Sequence, residues 1–560
     1  MTIRTLACAL AAASAVAPTS PAAACGGFFC NNSPTNPTAV TVNQAAERII
    51  FAMGEDGTVT AVIQILYQGD ADEFAWLLPV PGRPEIGISS NAAFTALQTA
   101  TNPTYQGSTR FEGCGGGCSF LLGAGLAGAP GADAGAISIP EMAPVEVLAS
   151  GAVGPYDYVL LSTDPERPDP ASDAAAWLVA NRYEVNDFGV ERLTPYLEQG
   201  MNLLAFRLQK GNDVGSIRPV RVDFGAGLPS IPLRPTAAAS VPDMGVLVWV
   251  LGEHRAVPAN YATVELNEAL IDWLDPTATD YDALVSRAAD EAGGQAFVTE
   301  MAGPAPPLAG AVLPPVLSFR WSELLAADHA SRDGALIQDA VALFRGRDGL
   351  REAVQQHVPL AGGAVDDFLA NPGRYPGVAA TVADVEGFDP ARFLTALEEL
   401  VYAPLEETAQ LFEGAATMTR LYTTMSPEEM TMDPVFDVNP DLGDVSNQHS
   451  ATVVRRCGSA RVRVELADGT DVHLARATWP FQVGDLPAAR RVLRLGPEGQ
   501  GEVVDDQRRA ILREMRRQVG VSARNPEVSS GCAVSLPGQV PGALLGLLVA
   551  LGLLAFRRRS

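Results

Sequence analysis

The sequence predicts an α+β protein: a β-rich N-terminal domain with a mixed sheet, then a helix-rich region with a β-hairpin, then a C-terminal transmembrane helix. Three observations carry this. Between residues 48 and 251, apolar residues recur at period two or in short runs separated by Gly- and Pro-containing turns. Beyond residue 300, stripes at helical spacing take over. From Val540 to Phe556 no charge occurs, and Arg557, Arg558 and Arg559 follow at once.

The first strands lie in residues 48–79. Ile49-Ile50-Phe51 leads into Gly54-Glu55-Asp56-Gly57, a strong turn, and then Val59, Ala61, Ile63, Ile65 and Tyr67 share one face. A second turn at Gln68-Gly69-Asp70 precedes Phe74 to Leu78, so a three-stranded meander is expected. Residues 113–138 form a Gly/Ala tract that reads as a loop. Strands are expected at 156–161, 203–208 and 217–224, the last demoted to a sheet edge by Pro219, with a short helix at 174–180. Val246 to Leu251 is a continuous apolar run, the pattern of a central strand buried on both faces.

Pro304, Pro306, Pro307, Pro314 and Pro315 mark residues 301–318 as a linker, which divides a domain at 25–300 from a helical and mixed domain at 319–524. Phe393, Leu394, Leu397, Leu400 and Val401 form one helical stripe that Pro404 is expected to stop. Ser426, Pro427 and Glu429 read as N-cap, first turn and capping box of another helix. Residues 453–466 and 472–479 form a hairpin around Asp468-Gly469, and a last amphipathic helix is expected over 505–519.

Both ends read as address labels. Residues 1–24 have a positive start at Arg4, a short apolar stretch and small residues ending at Ala24, the pattern of a secretory signal peptide. The mature chain then begins at Cys25, where lipidation is the alternative reading. At the other end come a polar spacer at 525–539 containing Gly531-Cys532, an apolar helix at 540–556 and an Arg-rich cytoplasmic end at 557–560. This arrangement resembles the MYXO-CTERM sorting signal, which implies cleavage and retention at the cell surface. Expected partners are therefore the export machinery, a sorting or processing protease and the membrane; the surface partner stays open.

Composition narrows the function further. The formal net charge is −26, which repels phosphate backbones and argues against nucleic acid. Lys210 is the only lysine and follows Gln209, so no G-x-x-x-x-G-K-[ST] loop is present. For an exported chain, Cys25, Cys30, Cys114 and Cys118 are disulfide candidates rather than zinc ligands. With Cys532 reserved for processing, one thiol is odd: Cys457, unless Cys25 is lipidated.

Several stretches resemble one family, called DUF2330. They are Cys25-Gly26-Gly27-Phe28-Phe29-Cys30, Glu47-Arg48-Ile49-Ile50-Phe51, Phe74-Ala75-Trp76-Leu77-Leu78-Pro79, and Pro242 to Leu251 running on to Tyr261. The resemblance covers residues 25–300 and implies an exported bacterial protein of unknown function, with no active-site residues to carry over.

No metal site and no cofactor are expected. Gly123-Ala124-Gly125-Leu126-Ala127-Gly128 matches G-x-G-x-x-G but follows no strand, and neither G-x-S-x-G nor H-E-x-x-H occurs. The one candidate catalytic pair is Glu253 and His254, at the end of the presumed central strand. The reading is an exported, surface-anchored protein with a non-catalytic structural or ligand-binding ectodomain; the alternative is a surface hydrolase with an unrecognised active site.

Overall fold

The computed structural model describes residues 29–30, 43–68, 74–112, 145–181, 187–208, 217–238, 240–327, 329, 332–360 and 364–524. The signal peptide, the Gly/Ala tract, the spacer, the 540–556 segment and the side chains of Cys25, Cys30, Cys114 and Cys118 lie outside them. No described helix is long and apolar enough to cross a membrane.

The fold is α+β, organised around a ten-stranded mixed sheet. Its strands run in the order Glu502–Asp506, Ala489–Arg494, Ala262–Leu266, Ala296–Pro304, Thr417–Met425, Ser240–Gly252, Asn43–Met53, Thr58–Gln68, Val220–Ala226 and Glu85–Ile88. The apolar run Val246–Leu251 lies at its middle, parallel to Asn43–Met53 and antiparallel to Thr417–Met425. Val246–Leu251 is covered on both faces, which is why its apolar residues run on without alternating.

One face of this sheet packs on a five-stranded sheet ordered Phe29–Cys30, Phe74–Val80, Asn202–Leu208, Tyr156–Thr163 and Val145–Val153. Ile49, Phe51, Ala61 and Ile63 meet Trp76, Leu78, Leu204 and Phe206 between the layers. The outer face of the five-stranded sheet is closed by helices Pro170–Ala180 and Asp187–Glu198, through Trp177, Leu178 and Leu193. On the ten-stranded sheet's other face, Ile50, Trp249 and Leu251 pack under Asn91–Thr101 and the helices between residues 309 and 410. A third sheet, Gly520–Ala523, Thr470–Leu474, Val462–Glu465, Gln448–Arg456 and Thr104–Glu112, packs against helix Tyr281–Glu291 and Trp273.

Several expectations change. Phe74–Val80 does not continue the meander but crosses to the second sheet, where its Trp76, Leu78 and Val80 cover one face of the hairpin before it. Residues 301–318 do not separate two sheets: Ala296–Pro304 lies inside the ten-stranded sheet beside Thr417–Met425, and short helices follow it. Val220–Ala226 is not the edge, because Pro219 precedes it and Glu85–Ile88 pairs outside it. Ser426 begins a single turn rather than a helix: its N–H donates to Glu429 Oε2 at 2.7 Å, while its hydroxyl accepts from Asp243 N–H. Residues 417–523 hold the expected hairpin around Asp468-Gly469, as Val462–Glu465 with Thr470–Leu474, and the expected last helix, Arg508–Gln518, and they add strands that were not expected to the ten-stranded and third sheets.

Pro404 does not stop its helix. Pro390–Leu397 runs through a π-turn at Glu398–Tyr402 into Ala403–Gln410. A proline leaves the carbonyl four residues back without its N–H. That carbonyl, Leu400 O, accepts instead from Arg218 Nη1 at 2.6 Å.

Candidate functional site

Two strands of the ten-stranded sheet each carry one buried charge in an otherwise uncharged run, and they pair. Arg420 stands in Thr417–Met425. Glu300 is the extra residue of a bulge in Ala296–Pro304, between partners Thr299 and Met301. Their side chains are 7% and 1% exposed and meet as an ion pair at 2.5 Å. Arg420 also donates to Asn102 Oδ1 at 2.7 Å and Thr101 Oγ1 at 3.1 Å, and its guanidinium lies 5.3 Å from the Trp249 ring centroid. A buried ion pair persists only when its remaining donors and acceptors are met, and here they are.

Three tyrosines close round this pair. Tyr281 opens helix Tyr281–Glu291, capped by Asp280 accepting from Ala283 N–H, and donates to Glu300 Oε1 at 2.6 Å. Tyr422 shares its strand with Arg420 and donates to Asp282 Oδ1 at 2.9 Å. Tyr105 comes from the third sheet, where it is the direct cross-strand partner of His449; the rings stack at 4.6 Å between centroids. The strand holding Tyr105 lies so close to Trp273 that a Cβ at Gly107 would fall 2.2 Å from the Trp273 carbonyl. His449 Nδ1 in turn meets Glu268 Oε1 at 2.6 Å.

These groups form the wall between two chambers of one cleft. The larger, about 580 Å³, is lined by Arg48, Asp243, Asp282, Arg420, Tyr422 and Gln98 among others. The smaller, about 430 Å³, is lined by Arg255, Thr263, Glu268, Thr299, His449 and Arg491 among others. Tyr105, Tyr281 and Glu300 border both. The smaller chamber opens because Ala262–Leu266 pairs with Ala296–Pro304 only from Ala262 to Val264.

Burial dominates the electrostatics. It pushes the Tyr105, Tyr281 and Tyr422 phenols far above their ordinary value, with nearby carboxylates adding to the shift. They therefore remain neutral hydrogen-bonding groups. Burial, then the neighbouring Arg420 charge, lowers the Arg48 pKa. Arg48 donates to Gln64 Oε1 at 3.3 Å and has no carboxylate partner among the described residues. Asp243, beside it in the larger chamber, is the one described non-glycine residue with positive φ, +52°.

Glu253 and His254 lie exposed in the turn between Ser240–Gly252 and Arg255–Pro258, and neither lines a chamber. Their neighbour Arg255 does, with Nη1 donating to Gly443 O at 3.0 Å. Asn260 and Tyr261 hold the 432–435 loop at the mouth of a separate apolar cavity of about 420 Å³ between the two large sheets. Among the described residues no group of three His, Cys, Asp or Glu is placed to hold a metal ion. Cys457, expected as the odd thiol, is disulfide-bonded. The groups at Arg48, Tyr105, Tyr281, Glu300, Arg420 and Tyr422 escaped the sequence reading because no two from different strands share a motif. The available signal was a lone charge inside an otherwise uncharged strand, at Glu300 and again at Arg420.

Residues 19–307 match a family model described as "Uncharacterized protein conserved in bacteria (DUF2330)". No curated protein and no solved structure matches the chain.

Proposed function

We propose, from the premise that this chain belongs to the DUF2330 family of uncharacterized bacterial proteins, that it is an exported, surface-held, non-catalytic binding protein whose ligand occupies the larger chamber. The signal-peptide and sorting-signal patterns of the sequence support export and anchoring. One observation carries the binding reading: Arg48 is a partly buried cation with no carboxylate partner among the described residues, facing a chamber whose phenols stay protonated. Groups with fixed charge states recognise a ligand; proton transfer needs one that titrates near neutrality. An arginine in such a pocket selects a small molecule bearing a carboxylate or phosphate, with the phenol edges as further donors.

The test is calorimetric titration of the protein with succinate, citrate and inorganic phosphate, alongside Arg48→Met. Binding of at least one anion, lost in the variant, supports the reading; no heat from any of them, or equal heat in the variant, rejects it.

The hydrolase alternative rests on the Glu268–His449 pair, which resembles a carboxylate orienting a general base. Among the described residues no hydroxyl or thiol is hydrogen-bonded to the second His449 nitrogen, so nothing there supplies a side-chain nucleophile of the serine or cysteine kind, and the binding reading, which Arg48 carries, is preferred.

A further inference from the structure

We propose that the exposed face of helix Arg508–Gln518 docks on the anionic phospholipid headgroups of the membrane that holds the chain. The proposal rests on the anchoring reading and adds how the ectodomain stands on that surface. Residues 508–524 contain six arginines and one carboxylate, Glu514, in a chain whose net charge is −26. Ile511 and Met515 bury one side of the helix in the core that also holds Trp273 and Trp479. Arg509, Arg513, Arg516 and Arg517 stand at i, i+4, i+7 and i+8, so they share the opposite side, and all four are exposed.

The fold does not call for this stripe. Like charges at i, i+4 destabilise a helix, and Arg509, in the first turn, meets the positive end of the helix dipole. The carboxylates in and beside the helix are engaged elsewhere. Glu514 pairs with Arg517, Asp506 with Arg508, Glu502 lies 3.9 Å from Arg494, and Asp505 accepts from the Gln507 amide. Arg524 pairs with Asp471 and Glu465 of the third sheet. Arg509, Arg513 and Arg516 have no carboxylate partner among the described residues. Cations that the protein's own carboxylates leave unmet fit a surface of phosphates. The course of the chain points to the same surface. The helix ends six residues before Arg524, and the spacer 525–539 then leads to the apolar segment 540–556. The fifteen spacer residues reach at most about 50 Å when extended, so an anchored tail keeps the helix near the headgroups. Attraction to a charged surface decays over about 8 Å at physiological salt. The stripe therefore acts at contact, while the acidic bulk of the chain faces away from the membrane. Clusters of about four to eight basic residues beside a membrane segment are the usual pattern for contact with anionic lipid.

The experiment reconstitutes the full chain in vesicles of phosphatidylcholine, or of equal parts phosphatidylcholine and phosphatidylglycerol, each carrying a dansyl-headgroup lipid. Energy transfer from tryptophan, with Trp273 and Trp479 beneath the helix, reports the approach of this face. Transfer should be higher on the anionic vesicles. It should fall to the phosphatidylcholine level in about 1 M sodium chloride, where the Debye length is about 3 Å. Arg509→Gln, Arg513→Gln and Arg516→Gln combined should lose the excess, and the melting temperature should hold or rise because like charges are removed. Arg509→Lys, Arg513→Lys and Arg516→Lys combined should keep most of it, since the contact needs charge more than the guanidinium fork. No excess on anionic vesicles, or an excess that the glutamine variant retains, overturns the proposal. Flotation with phosphatidylcholine vesicles in the same high salt reads the tail alone. A chain that floats there without any anionic excess keeps the anchor and loses the docking. One that fails to float there yet binds anionic vesicles at low salt keeps the docking and loses the anchor.

Discussion

Arg218 and Arg420 are both buried arginines, with side chains 3% and 7% exposed, and each is held by several partners. Arg218 lies under the helical layer. It donates to Leu400 O at 2.6 Å and Ser89 O at 3.4 Å, stands 3.9 Å from Glu352, and its backbone is held at both N–H and C=O by the Tyr156 hydroxyl. Its guanidinium answers carbonyls that the fold itself leaves open, above all the one freed by Pro404. Arg420 is fixed just as firmly but borders a chamber of about 580 Å³, beside a second cation with room for a counter-ion. A buried charge is therefore not a sign of function in itself. What separates the two regions is whether unmet groups face a cavity.

The comparison breaks most visibly at Arg218. Arg218→Met leaves two carbonyls and a carboxylate without their cation, and should cost about 3–5 kcal/mol in urea unfolding while leaving ligand titrations unchanged. Glu300→Gln strips the counter-charge from Arg420 and should cost about 2–4 kcal/mol. Adding Arg420→Met to it should recover much of that loss, since the pair as a whole is worth little net stability; the double-mutant cycle measures the coupling. If Arg218→Met also abolished binding, the distinction between the two regions would fall.

The architecture around these arginines was partly legible in the sequence. The run Val246–Leu251 announced the central strand because burial on both faces leaves no polar alternation to read. The Gly54-Glu55-Asp56-Gly57 turn placed the Asn43–Met53 and Thr58–Gln68 hairpin, with Gly57 at φ +80°. The order of the strands was not legible. Thr417–Met425 fits between Ser240–Gly252 and Ala296–Pro304 by long-range pairing, and no local pattern encodes a partner more than a hundred residues away. Pro404 misled for a related reason: its rule is local, and Arg218, distant in sequence, supplies what the helix lacks. The cleft was illegible because it is made of such distant pairings, Tyr105 with His449 and Glu300 with Arg420.

Alkaline pH separates the buried phenols, those of the cleft among them, from exposed ones. The folded-state pKa values of Tyr105, Tyr281 and Tyr422 are raised above the unfolded value near 10. Their contribution to stability is therefore complete below about pH 10 and is lost as pH rises beyond it, because the unfolded chain releases those protons first. Phenolate absorbance should show exposed tyrosines ionising near pH 10, and these three, together with the buried Tyr196 and Tyr261, appearing only with unfolding. Ionisation of all tyrosines in one step near pH 10, with the fold intact, would show that the cleft is wet and its phenols unrestrained.

The smallest effect on stability is expected at Arg48, and it sharpens the comparison most. Its charge is disfavoured by burial and by Arg420, and it donates to the neutral amide of Gln64. Arg48→Met keeps the stem that packs on the sheet while removing a charge the fold does not use. Unfolding free energy should change by no more than about 1 kcal/mol, in either direction. Anion binding should nevertheless disappear. Arg218→Met reverses both outcomes, a large loss of stability with binding intact among the molecules that remain folded. A charge held for the fold and a charge held for a ligand are told apart by that crossing of effects, which neither burial nor hydrogen-bond count supplies.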